Sequence, residues 1–174
     1  MEDILRRAAA IRLAIFDVDG VLTDGGLVLL DNGDECKVFN VRDGQGLVML
    51  RDNGIELSII TGRRSQVVQD RMAGLGMRHI YQGQGDKLVA LEDLLEKLDL
   101  SPQAVAYMGD DLPDLPVLRR VGLAAAVANA DPLVLENVHW QSRHAGGRGA
   151  VREFAELLLR AQGKLDAIHA QYLR

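Results

Sequence analysis

Leu13-Ala14-Ile15-Phe16 runs without a polar break straight into Asp17-Val18-Asp19-Gly20. An unbroken apolar run of this kind suits a central parallel strand covered on both faces, because a half-solvated strand would alternate. In extended chain, side chains two apart point the same way, so Asp17 and Asp19 share a face where the strand ends. Two neighbouring carboxylates repel unless one is protonated or a cation sits between them. Mg²⁺ is the cation expected: it takes a few oxygen ligands and keeps positions for water and a substrate phosphate. The competing explanation is an ordinary surface turn, in which Asp and Gly are common.

Similar punctuation recurs along the chain. Apolar strand-like runs at 11–16, 55–60, 79–82, 104–108 and 122–127 alternate with helical patterns. The helices fall at about 45–53, 65–74, 87–98 and 112–120, with a short one at 132–137 and a long one at about 149–162. Such alternation predicts an α/β fold with a doubly wound, mostly parallel, Rossmann-like sheet. With 174 residues, the chain reads as a single domain over 1–174 that buries a large core without disulfides or a structural metal. Gly54, Gly74 or Gly76, and Gly122 stand where left-handed residues would close helices. Ligands of such sheets bind outside the carboxyl ends of the strands, which is where Asp17, Thr61 and Asp110 fall.

Composition removes several partners. Aromatic residues make up 4% of the chain, too few for a base-stacking platform, and a net charge of -5 argues against nucleic acid as a partner. A small phosphorylated substrate remains compatible, because local arginines and lysines govern a pocket. The lone Cys36 forms no internal disulfide, and no Cys/His cluster has zinc spacing. Residues 1–10 lack the apolar core of a signal peptide, and no apolar run is long enough to cross a bilayer. The expected location is the cytoplasm.

One segment departs from the alternation. Leu27-Val-Leu-Leu, an Asn32-Gly33 turn, and Glu35-Cys-Lys-Val-Phe read as a β-hairpin inserted after the first strand, at about 25–40. An isolated hairpin is marginal in water, and Leu27, Leu29, Val38 and Phe39 need a cover. Either the hairpin folds back on its own domain, or hairpins of several copies pack together and protect their edges.

Phosphoryl transfer needs a nucleophile in line with the leaving oxygen, a cation on the phosphate, and donors for the equatorial charge. Asp17 is the expected nucleophile, forming an aspartyl-phosphate. Asp19 would protonate the departing sugar oxygen and later deprotonate the attacking water. Thr61, between Ile60 and Gly62, offers a hydroxyl and the next amide to a phosphate oxygen, although a threonine there is more often a cap. Lys87 opens a helix, where the dipole disfavours a cation and most lysines are inert. Asp110, Asp111 and Asp114 lie beside another helix start, and some of them simply cap it. Asn40, Arg42, Asp43 and Gly44 bring the chain back from the hairpin and offer polar groups to a polyhydroxylated ligand, with Asp43 otherwise a helix cap. Arg63, Arg64 and Arg71 follow the threonine, and some are plain solvated charges, Arg64 foremost. Ala145-Gly-Gly-Arg-Gly-Ala-Val-Arg-Glu lacks the Gly-Lys-Ser/Thr ending of a phosphate loop and reads as a mobile closure element.

Taken in order, Asp17-x-Asp-Gly-Val-Leu-Thr-Asp, Ile59-Ile-Thr-Gly, Lys87 and Gly109-Asp-Asp-Leu-Pro-Asp resemble the haloacid dehalogenase superfamily of phosphatases over nearly the whole chain. The hairpin, Arg42-Asp-Gly-Gln-Gly, Tyr81-Gln-Gly and Gly146-Gly-Arg-Gly-Ala-Val-Arg-Glu are similar to its capless, tetrameric branch, the 3-deoxy-D-manno-octulosonate 8-phosphate phosphatases. The resemblance implies hydrolysis of that sugar phosphate during lipopolysaccharide precursor synthesis. It implies Mg²⁺ held by the Asp17 carboxylate, the Asp19 backbone carbonyl and Asp110, with Asp111 and Asp114 in support. By the same resemblance Lys87 neutralises phosphate and nucleophile, Arg71 binds substrate, and the hairpins form a homotetramer.

Rival readings remain. One is a phosphatase for another nonulosonate, such as a sialic-acid-type 9-phosphate. A phospho-accepting receiver module also places acids, Thr and Lys at strand ends, but Asp19 and the hairpin tell against it. A non-catalytic assembly domain is opposed by intact Asp17, Asp19, Lys87 and Asp110.

Overall fold

The computed structural model describes residues 2–174. Six strands form one sheet: β1 (Leu13–Phe16), β4 (Glu56–Ile60), β5 (His79–Tyr81), β6 (Val105–Gly109), β7 (Leu123–Ala126) and β8 (Trp140–Gln141). Their order is β5-β4-β1-β6-β7-β8, and every pairing is parallel. The expected α/β class stands. β1 is fully buried between β4 and β6, which explains its lack of any polar residue. A small antiparallel hairpin pairs β2 (Val28–Leu29) with β3 (Glu35–Cys36).

Helices connect the strands: α1 (Glu2–Ala9), α2 (Val41–Asp52), α3 (Gln66–Gly74), α4 (Lys87–Leu98), α5 (Leu115–Leu118), α6 (Pro132–Leu135), α7 (Ala150–Ala161) and α8 (Leu165–Tyr172). The second helix begins at Val41 rather than about 45, because Asn40 caps it: its side-chain oxygen accepts from the amides of Arg42 (2.8 Å) and Asp43 (3.4 Å). The helix expected over 112–120 is a 3₁₀ turn at Leu112–Asp114 followed by the short α5, each with a proline in its first turn. Strand β8 was not foreseen, and the C-terminal closure loop and helix expected over about 145–174 hold two helices, α7 and α8. β8 has only two residues, too few for a periodic signal, and is held by Trp140 stacking on Phe154 of α7 at 5.3 Å. Phe154 in turn meets Phe16 of β1 edge-on at 6.4 Å. Gly122 does not close a helix with a left-handed residue as expected. It is glycine because an added Cβ would lie 2.1 Å from the Gln103 carbonyl.

Candidate active site

The strand ends supply the site. Asp17 follows β1, Thr61 follows β4, Asp110 follows β6, and Lys87 is the first residue of α4. All line one cleft of about 350 Å³, together with Asp19, Gly62 and Arg63. The turn that carries the two leading acids is locally over-determined. The Val18 carbonyl accepts from the amides of Val21, Leu22 and Thr23, while the Thr23 hydroxyl accepts from Gly20 and Gly25. Gly20 has a φ of +96°, and a Cβ there would stand 2.0 Å from an Asp110 oxygen, so only glycine lets the two acidic loops meet.

Lys87 sits between carboxylates. Its Nζ is 3.0 Å from Asp17 Oδ1 and 2.6 Å from Asp114 Oδ1, with the side chain 5% exposed. Burial alone would lower the Lys87 pKa, but the charges of Asp17 and Asp114 outweigh it and the net shift is upward. Asp114 is fully engaged: its Oδ1 also accepts from the Tyr107 hydroxyl (2.6 Å), and its Oδ2 from the amides of Asp110 (3.0 Å) and Asp111 (3.2 Å). The expected supporting part for Asp114 thus has a physical content, as it orients both the lysine and the loop bearing Asp110.

A divalent cation fits the remaining oxygens. Asp17, Asp110 and Asp114 each bring a carboxylate oxygen within 4.8 Å of the others. With Asp114 saturated, the spare capacity lies on Asp17 and on Asp110, whose buried Oδ1 has no hydrogen-bond partner among the described residues. An unpartnered buried carboxylate oxygen beside other acids is costly unless a cation takes it. Burial, then the charges of Asp17 and Asp114, push Asp110 up to about 8. Burial and Asp114 push Asp17 up to about 6, against the pull of Lys87. An all-oxygen site suits Mg²⁺ rather than a thiolate-seeking metal.

This arrangement predicts a pH dependence with a definite sign. Unfolded, both acids ionise near the ordinary 3.8; folded and metal-free, they retain protons to about 6 and about 8. The native state therefore binds more protons across that window, and stability falls as pH rises through it. Chelator-treated protein should lose melting temperature between pH 6 and pH 9, and excess Mg²⁺ should restore it most at pH 9, where no protons compete. A Mg²⁺-induced shift that shrinks as pH rises would refute the cation assignment.

Asp19 faces the hairpin. Its carboxylate pairs with Lys37, and Arg63 Nε lies 3.8 Å from Oδ2. Arg63 also pairs with Glu35 at 2.9 Å. The 40–44 segment and Arg71 lie apart from this cleft within one chain. Asn40 caps α2 and donates to the Gly147 carbonyl (3.2 Å), and Arg42 is exposed. Asp43 does not cap its own helix. It is 1% exposed and accepts from the amides of Gly149 (3.2 Å) and Arg152 (2.9 Å), thereby capping α7. Arg71 packs on α2 near Gly44, where a Cβ would meet its Nη2 at 2.5 Å. The glycine-rich loop, expected as a mobile closure, is tied beneath the acidic turn: Gly147 donates to the Val21 carbonyl at 2.9 Å, and a Cβ on Gly146 would clash with Gly20.

Comparison with known proteins agrees with this geometry. A family model for haloacid dehalogenase-like hydrolases matches residues 74–154. The 3-deoxy-D-manno-octulosonate 8-phosphate phosphatase of Escherichia coli K12 is 54% identical over 97% of this chain and 90% of its own length. The chain belongs to this phosphatase family. Two solved structures carry the same family name. That from Yersinia pestis superposes with a TM-score of 0.94 at 53% identity, covering 95% of this chain and 89% of that one. That from Moraxella catarrhalis, in complex with magnesium ion, phosphate ion and a KDO molecule, gives 0.97 at 44% identity, covering 99% of each chain.

Within this 3-deoxy-D-manno-octulosonate 8-phosphate phosphatase fold, sequence reasoning missed Tyr107, Lys37 and Glu35. Tyr107 lies inside an apolar strand and reads as core until Asp114 is known to reach it. Lys37 had a usable signal: period-two alternation from the core-packed Phe39 puts Lys37 and Glu35 on the inward face, with Cys36 and Val38 outward.

Proposed function

We propose that the chain hydrolyses 3-deoxy-D-manno-octulosonate 8-phosphate to the free octulosonate and inorganic phosphate, a step toward lipopolysaccharide precursors. The observation that carries the phosphatase chemistry is Lys87 buried between Asp17 and Asp114 beside the unpartnered Asp110 oxygen. A polyanionic phosphoryl group needs that combination of fixed cation and cation-binding acids. The substrate is taken from the relatives' names and from the Moraxella catarrhalis complex.

Asp17 attacks phosphorus along the line of the leaving oxygen, and the P–O bond to the sugar breaks as Asp17 forms an aspartyl-phosphate. Asp19 gives its proton to the departing sugar oxygen and then takes one from the water that releases phosphate. Thr61 and Lys87 hold phosphoryl oxygens, and Asp17, Asp19 and Asp110 would hold Mg²⁺. When bound, the ion neutralises charge on the phosphoryl oxygens. Phosphate release from a panel of sugar phosphates, with and without Mg²⁺, tests the reading. The octulosonate 8-phosphate should be the best substrate and require the metal; faster turnover of a sialic-acid-type 9-phosphate would displace it.

The assembly is proposed as a cytoplasmic homotetramer, with the whole chain acting as one phosphatase domain. No helix among the described residues is long and apolar enough to cross a membrane. The hairpin leaves Leu27 51%, Leu29 67% and Val38 73% exposed, an apolar surface that hairpins of other copies would cover. Replacing Leu27 and Leu29 together by Asp should give smaller species in sedimentation and lower activity on the sugar phosphate. A fully active monomer would refute the role of assembly.

Since Arg71 and the 40–44 segment do not line the cleft of their own chain, their proposed contacts are made to the substrate of a neighbouring copy. Arg71 is assigned the carboxylate that distinguishes an octulosonate from common sugar phosphates. Truncating one partner of a desolvated charge pair costs roughly 2–5 kcal/mol, so Arg71→Ala should lower kcat/KM for the sugar phosphate by more than about tenfold. A small aryl phosphate should be hydrolysed as before. Equal losses on both would show that Arg71 serves the fold or the phosphate.

A further inference from the structure

We propose that Lys37 is a positioning residue for the general acid, so that the hairpin sets the geometry of proton transfer as well as carrying the apolar surface. The proposal rests on the phosphatase reading, but on no particular sugar.

The hairpin is exposed almost throughout, with Val28 51%, Leu29 67% and Val38 73% accessible. Its inward residues are enclosed: the Lys37 side chain is 2% exposed and that of Glu35 15%. Burying an ammonium is costly unless it is paired, and its partner is the Asp19 carboxylate, through Oδ1. Glu35, two residues earlier, points the same way, with one oxygen 3.7 Å from Lys37 and the other 2.9 Å from Arg63. Arg63 returns to Asp19, 3.8 Å from Oδ2. A closed ring of Asp19, Lys37, Glu35 and Arg63 results.

In this ring Asp19 has unequal oxygens. Oδ1 is anchored by Lys37, whereas Oδ2 has only the more distant Arg63, and the residue lines the cleft that also holds Asp17 and Lys87. The anchored oxygen fixes the rotation of the carboxyl group, which leaves the other to pass its proton to the leaving oxygen as the phosphorus–oxygen bond breaks. Glu35 shares the charge of Lys37 and Arg63. Proton transfer depends steeply on such alignment, and an error of about 1 Å costs about 10²-fold.

The alternative is that the ion pair merely pins the hairpin to the domain. Leaving groups separate the two, because only a poor one needs the proton. The experiment measures kcat/KM, which reports the steps up to cleavage of the ester and not the later hydrolysis of the aspartyl-phosphate, for p-nitrophenyl, phenyl and simple alkyl phosphates, none with a carboxylate, in wild type, Lys37→Met and Lys37→Arg with Mg²⁺ present. Lys37→Met should lose about 10²-fold on the alkyl ester, less on the phenyl ester, and change little on the p-nitrophenyl ester. Lys37→Arg, which keeps a cation in place, should regain most of the loss. Misfolding or loss of assembly lowers all three esters together, so an unchanged ratio between them overturns the proposal whatever the size of the variant. Equal activity of Lys37→Met and Lys37→Arg on the alkyl ester also overturns it. Failure of wild type on the octulosonate 8-phosphate would strike the substrate assignment alone, since the ester series does not depend on it.

Discussion

Asp17→Asn is expected to abolish turnover, by on the order of 10⁴-fold or more, while the protein melts no lower than wild type in the absence of metal. The amide cannot attack phosphorus and is a poorer metal ligand, so both the covalent step and the cation site fail together. Stability should hold or rise because the ionised carboxylate is the disfavoured form in this environment: burial and Asp114 lift Asp17 to about 6. Near neutral pH the folded wild type therefore carries a charge that the site penalises, and a neutral isostere removes the penalty. Lys87 keeps its 2.6 Å contact with Asp114. Rapid-quench measurement of aspartyl-phosphate, with calorimetry in chelator, checks both halves. A burst of phosphate from Asp17→Asn would refute the nucleophile assignment, and a marked drop in melting temperature would refute the account of the penalty.

Lys87→Met should be damaging in both respects. Removing one preorganised donor from a transition state costs about 10²–10³-fold in kcat. Here the same change leaves Asp17, Asp110 and Asp114 without the cation that opposes their mutual repulsion. Breaking a buried ion pair by deleting one partner costs about 3–5 kcal/mol. The loss should be largest at alkaline pH, where the acids are ionised, and smaller at pH 5, where Asp17 and Asp110 are protonated and less charge is left uncompensated. Adding Asp114→Asn to Lys87→Met should recover part of the stability and none of the activity. If Lys87→Met melts with wild type at pH 8, the lysine is not the counterion described.

The central acids were legible because each stands where an apolar run stops. Asp17, Thr61 and Asp110 needed only the rule that parallel strands gather ligands at their carboxyl ends. Lys87 was legible from its awkward place at a helix start, and burial between two carboxylates is the physical reason for it. Asp43 illustrates what one-dimensional reading misses: it looked like a cap for the nearest helix, but it caps one that begins more than a hundred residues later. The strand at Trp140–Gln141 escaped because two residues carry no period, and its partner ring lies on a distant helix. Arg71 followed the threonine motif correctly in sequence, but the cleft of its own chain is not where its guanidinium lies. Local chemistry reads forward from sequence; contacts closed across long stretches of chain do not.

The tie between the two ends of the chain bears on how the protein is made. The turn bearing Asp17 and Asp19 is made more than a hundred residues before its partners: Gly147 gives its amide to Val21, and Asp43 waits for the amides of Gly149 and Arg152. Its own strand is flanked by β4 and β6, both synthesised later. Contacts so distant in sequence close late and slowly. A nascent chain stalled before residue 147 has every residue assigned to the phosphoryl-transfer chemistry but lacks the contacts that Gly147, Gly149 and Arg152 make to Val21 and Asp43. Phosphatase competence should therefore appear only once residues 147–152 have been added.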